Sequence, residues 1–151
     1  MATYSKVLVG TDGSETSLKA VTKAAEVAEA HNAELLIGCA YTPLESRASA
    51  AAADELGSDA YQIQGDNPAV DIVRAARERA VAAGVPADRV TTKTIEGGPV
   101  DSLIKLTKTQ GIDLLIVGNR GMNSFASRIW GSVPGDTARR ADCDVLIVHT
   151  T

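Results

Sequence analysis

Aromatic residues are scarce in this chain: one tryptophan, one phenylalanine and three tyrosines among 151 residues. A core of ordinary size must then be built from Val, Leu, Ile and Ala. That composition suits parallel strands buried on both faces beneath alanine-rich helices. Cysteine is also sparse. Cys39 and Cys143 each sit in or beside an apolar run. With no charged-then-apolar leader in residues 1–6, two free thiols are expected rather than a disulfide. No apolar run approaches the roughly 20 residues of a membrane span, so a cytoplasmic chain without membrane contact is expected. Basic clusters are missing too. The net charge is −4, and a long nucleic-acid backbone finds no stripe of Lys and Arg to hold it. A small anionic ligand is not excluded, because a few local donors outweigh the net charge. What the chain does have is 44% hydrophobic and 23% charged residues, the balance of one ordinary globular domain over residues 1–151.

Strand and helix patterns alternate along the sequence. Residues 6–10 read as a first strand and 15–30 as a helix with Leu18, Val21, Ala25 and Ala28 on its buried face. Residues 34–41 form a second strand, followed by an irregular stretch over 42–67. A second helix starts near Pro68 and stops at Gly84, with Val70, Val73, Ala76 and Ala80 turned inward. The third strand, 89–95, alternates with one polar side and suits a sheet edge. A third helix opens at Pro99 with Val100, Leu103, Ile104 and Thr107 as its core residues. Residues 113–118 form a fourth strand and 119–131 a loop of thirteen residues. A fourth helix over 132–141 and a fifth strand over 144–149 complete the chain. This alternation predicts an α/β fold, a doubly wound five-stranded parallel sheet with helices on both faces. Strand order 3-2-1-4-5 or 2-1-3-4-5 satisfies the pattern. In either, ligands bind at the carboxyl ends of the strands where the winding reverses, which for 3-2-1-4-5 lies between strands 1 and 4.

Two familiar phosphate signatures are absent: neither G-x-x-x-x-G-K-[ST] nor G-x-G-x-x-G occurs. Strands 1 and 4 instead both end in glycine. Gly10 leads into Thr11, Asp12, Gly13 and Ser14, and Gly118 leads into Asn119, Arg120 and Gly121, with Gly131 and Ser132 further on. Glycine lets a backbone approach a ligand closely. Gly131 and Ser132 stand just before a helix, whose first N–H groups lack internal partners and carry partial positive charge. An anion site follows, to which Ser132 adds a hydroxyl and Arg120 and Arg128 add charge. The competing reading is punctuation: glycine ending a strand and serine capping a helix. Catalytic groups are few. Asp12 is the one acidic residue in the two loops that faces the site, and Asp136 stabilises the fourth helix's N-terminus. His31 and His149 have no metal-ligand neighbours at standard spacing. Binding therefore ranks above catalysis.

Gly118-Asn119-Arg120-Gly121, nine residues, then Gly131-Ser132 resembles the G-x2-G-x9-G-[ST] motif of the ATP-binding branch of the universal stress protein family. The opening run Val7 to Ser14, the turn Gly98-Pro99, the strand ending at Gly118 and the closing run Asp144 to Val148 resemble that family as well, in the same order. The resemblance covers essentially the whole chain. It implies the adenine nucleotide alpha hydrolase-like sheet, order 3-2-1-4-5, with an adenine nucleotide between strands 1 and 4. Gly10, Thr11 and Asp12 would border the pocket, with Asp12 near the ribose or a bound Mg²⁺. Ala40 would meet the adenine through its backbone. Gly118, Asn119, Arg120, Gly121, Gly131, Ser132 and Val133 would complete the nucleotide-binding set. Gly10 and Pro134 resemble a single-domain, actinobacterial-like subgroup in which cyclic AMP is a ligand alongside ATP. The function so implied is a regulatory stress-response nucleotide binder. The alternatives are a slow ATPase and a dimeric scaffold with a vestigial pocket. The resemblance also implies a homodimer through strand 5, whose apolar run Val145 to Val148 is an edge without proline or lysine.

Overall fold

The computed structural model describes residues 3–42, 67–119 and 133–150. Five parallel strands form one sheet: β1 (Lys6–Gly10), β2 (Glu34–Tyr41), β3 (Val90–Glu96), β4 (Leu114–Gly118) and β5 (Asp144–Val148). Their order is β3-β2-β1-β4-β5. The helices are α1 (Glu15–His31), α2 (Asn67–Ala82), α3 (Pro99–Thr109) and α4 (Val133–Arg140), with a short 3-10 turn at Ala87–Arg89 before β3. Of the two orders the residue pattern allowed, the sheet takes 3-2-1-4-5. The expected third-strand start at Arg89 belongs to that 3-10 turn.

Side chains alternate across the sheet with period two, and this alternation builds two cores. Val7, Val9, Leu35, Ile37, Leu114 and Ile116 face α1 and α2. Leu8, Leu36, Leu115 and Val117 face α3 and α4. The first core is lined by small helix residues, Ala20, Ala24, Ala25 and Ala28 of α1 and Ala69, Ala76 and Ala80 of α2, which bring the helix axes close to the strands. On α2 the buried stripe runs Ala69, Val73, Ala76, Ala80, whereas Val70, expected inside, is 37% exposed. Ala69 stands one turn before Val73 and shares its face, as i and i+4 positions do, whereas Val70 lies beside that stripe and turns out.

Local signals set the ends of the elements. Ser14 caps α1, its hydroxyl accepting from the Ser17 N–H at 3.2 Å. Asn32 closes the helix in the left-handed region at φ 58° and donates its N–H to Ala28 and Glu29 carbonyls, as an αL cap should. Gly98 is the N-cap of α3, with Pro99 in its first turn. Glycine at 38 has a packing reason: a Cβ there would come within 3.0 Å of Leu106 Cδ1, so its absence allows α3 to sit against β2. Among the described residues no helix is long and apolar enough to cross a membrane.

Candidate functional site

At the carboxyl end of the sheet the chain leaves β1 as Thr11–Ser14 in a turn held by local polar groups and by β2. Thr11 is fully buried. Its Oγ1 shares a hydrogen bond with Ser17 Oγ at 2.8 Å and accepts from the Gly13 N–H at 3.1 Å. Gly13 has φ +87°, a conformation that favours glycine, and a Cβ there would press on Ile72 Cγ1 at 3.0 Å. Asp12 folds back as an Asx turn, with Oδ1 accepting from the Ser14 N–H at 2.9 Å. The other carboxylate oxygen has no bond to another described residue.

Next to this turn lies a cleft of about 210 Å³. Thr11 and Asp12 form one wall. Ala40, Tyr41 and Thr42 form the floor at the end of β2, and Gly97, Gly98 and Pro99 of the β3–α3 turn form the far wall. The ladder explains why the floor is open. Thr11 N–H donates to the Gly38 carbonyl and Gly97 N–H to the Tyr41 carbonyl. Even positions of β2 therefore turn their peptides toward β1, and odd ones toward β3. The β1–β2 register ends at Gly10 and Gly38. Ala40 is the next even position, and its N–H and C=O face the side that β1 has already left. Among the described residues the carbonyl receives only the soft Cys39 thiol contact at 3.6 Å. Cys39 itself is buried, and desolvation, with a smaller contribution from the Asp12 carboxylate, raises its pKa to about 11.

The end of β4 is tied to the end of β5. Gly118 packs against Thr150, whose Cγ2 would lie 3.2 Å from a Cβ at 118. Asn119 donates its backbone N–H to the Val148 carbonyl at 2.7 Å, and its side chain bonds Thr150 and His149. Val133, at the start of α4, is buried in the α3–α4 core. Asp136 lies in the first turn of that helix and pairs with Arg139. Of the residues singled out in the sequence, Thr11, Asp12 and Ala40 line one cleft, with Gly10 just behind Thr11. Gly118 and Asn119 stand at the end of β4. Arg120, Gly121, Arg128, Gly131 and Ser132 lie outside the described residues. Sequence reasoning missed Tyr41, Thr42, Gly97 and Gly98 as cleft walls. The signal was present in the Gly97-Gly98-Pro99 turn, which stands at the carboxyl end of a strand where such folds bind ligands.

The universal stress protein family model matches residues 3–149 of the chain. The chain belongs to the universal stress protein family. Universal stress protein Rv1636 of Mycobacterium tuberculosis is 46% identical over 151 residues, covering all of both chains. A universal stress protein solved in complex with cAMP is 40% identical, with a TM-score of 0.77 over 99% of this chain and all of that one. The UspA protein of Lactobacillus plantarum, at 24% identity and a TM-score of 0.74 over 98% of this chain and 99% of that one, shares the fold. The sheet order 3-2-1-4-5 of this chain is that of universal stress protein structures, an α/β nucleotide-binding fold.

Proposed function

We propose that this universal stress protein holds an adenine nucleotide, ATP or cyclic AMP, in a regulatory stress-response role, as a cytoplasmic homodimer. The observation that carries the reading is the cleft floored by Ala40. An adenine edge presents a donor and acceptors in one plane, and the N–H and C=O of one strand-end residue, which no other backbone group among the described residues meets, complement it. Thr11, with Gly10 behind it, would flank the nucleotide, and Asp12 would stand beside the ribose. Gly118, Arg120, Gly121, Gly131, Ser132 and Val133 would receive the phosphate end through backbone N–H groups, the Ser132 hydroxyl and the α4 N-terminus. Cyclic AMP is favoured over ATP because the protein solved with cAMP is 40% identical to this chain over nearly its whole length.

A Mg²⁺ ion accompanying ATP would depend on Asp12. Among the described residues no group of three His, Cys, Asp or Glu side chains can cage a metal. One oxygen of Asp12 is engaged by Ser14, which leaves the other for an ion held mainly by phosphate, the usual arrangement for Mg²⁺. Among the described residues Asp12 is also the single carboxylate on the cleft walls. That supports holding over hydrolysis, for which a positioned base and a firm metal site are needed.

Calorimetry tests the reading. Cyclic AMP and ATP should bind competitively with roughly micromolar affinity, about −8 kcal/mol. Gly121→Val or Gly131→Val should abolish binding while leaving the circular dichroism spectrum unchanged. Unchanged affinity in both variants would remove the glycine loop from the site. Phosphate release from ATP that depends on Asp12 would favour the slow ATPase instead.

A further inference from the structure

The side chain of Asn119 is committed to the protein's own C-terminal segment. Its Oδ1 accepts from both the Thr150 N–H and the Thr150 hydroxyl, each at 2.9 Å. Its Nδ2 donates to His149 Nδ1 at 3.2 Å, and its backbone N–H donates to the Val148 carbonyl at 2.7 Å. Oδ1 has two lone pairs, and both are used. Thr150 in turn is buried. Its methyl group fills the space left by the missing side chain of Gly118, and its carbonyl accepts from Lys19 Nζ of α1 at 3.4 Å. The end of β4, the end of β5 and the outer face of α1 thus meet at one asparagine–threonine pair.

We propose that Asn119 is a positioning residue: by clasping Thr150 it fixes where the chain leaves β4, and it sets nucleotide affinity through that clasp without touching the nucleotide. The inference rests on the nucleotide reading above and gives one of its residues a different part in it. Gly118 and Asn119 are the last residues before the segment that would carry the phosphate contacts. A binding constellation works only when the residues behind it hold it to within about 0.5 Å. Asn119 has the bonds to do this. It has one spare amide hydrogen to offer a ligand and no spare acceptor on Oδ1.

A double-mutant cycle on the full chain separates positioning from direct contact. Thr150→Val keeps the shape of the threonine and removes the hydroxyl donor, and Asn119→Ala removes its acceptor. Each should weaken cyclic AMP binding about tenfold, the scale of one lost buried hydrogen bond. The double variant should be no weaker than Asn119→Ala alone. Thr150→Ser restores both donors, though not the methyl group, and should bind several-fold more tightly than Thr150→Val. Affinity that falls with Asn119→Ala and is untouched by Thr150→Val would make Asn119 a ligand contact and overturn the proposal. Amide exchange measured without nucleotide reads the clasp by itself. Protection of the Asn119 and Thr150 amides should drop in Thr150→Val and return in Thr150→Ser. If the parent binds no adenine nucleotide, the nucleotide reading fails and the affinity claim with it. Unchanged protection in Thr150→Val would overturn the clasp whatever the nucleotide result. Should Asn119→Ala not fold, the Val and Ser variants at 150 carry the same comparison.

Discussion

Cys39 stands where the core meets the cleft. Its side chain packs in the α1–α2 core at 3% exposure, one residue before the peptide that floors the cleft. Burial, aided by Asp12, lifts its pKa to about 11, whereas an unfolded thiol ionises near about 8.5. The folded state therefore keeps a proton that the unfolded state releases. The associated stability is intact below about pH 8.5 and falls as pH rises toward about 11. Urea titrations across that window should show stability declining more steeply for the parent than for Cys39→Val. Parallel curves would mean that the thiol does not couple to folding. Thr11 shows what a residue-scale reading of sequence can miss. It was expected to border a nucleotide; it lines a cleft, but its hydroxyl serves Gly13 and Ser17. Sequence marks a polar residue at a strand end without telling whether its donors point to a ligand or to the next turn.

At the scale of elements, the patterns that failed were those that depend on the partner surface. The α2 stripe starts at Ala69 and not Val70: either fits an apolar pattern in sequence, and the way the helix is turned against the sheet decides which one is buried. The helix ends were legible wherever a cap spelled them. Ser14 is such a cap, with Glu15 behind it in the first turn, and the hydroxyl satisfies one otherwise orphaned N–H. Ser14→Ala should cost about 1 kcal/mol, a fall in melting temperature of roughly 2–4 °C for a chain of this size. Differential scanning calorimetry reads it directly, and no shift would show that the Asp12 turn alone organises the start of α1. The loop after β4 was legible only as spacing. Its glycines suggested an anion site, while the asparagine at its root turned out to be bonded to the chain's last strand.

For the whole molecule, the two edges of the sheet differ. β3 exposes Thr91, Lys93 and Glu96, a polar rim with a lysine of the kind that discourages pairing. β5 exposes Leu146 at 37% and Ile147 at 43% with no charge between them. That asymmetry supports a second copy joined along β5. Sedimentation at micromolar concentration should give twice the chain mass for the parent and the single chain mass for the Leu146→Lys, Ile147→Lys double variant. A parent that remains monomeric would leave these side chains as ordinary surface.

Local chemistry was enough to mark the strands, the helices and the two glycine-ended turns, because periodicity, caps and glycine act over a few neighbouring residues. The residues alone left two strand orders open. A strand such as β1 carries the same Val-Leu-Val run whichever neighbours it takes, and only pairing across the sheet, Gly10 beside Gly38 and Val9 beside Ile116, made the order 3-2-1-4-5. The same pairing decided which peptide faces the cleft. Ala40 has an apolar side chain and no chemistry of its own. β1 ends two residues too early to reach its N–H and C=O, and that depends on register between strands far apart in sequence.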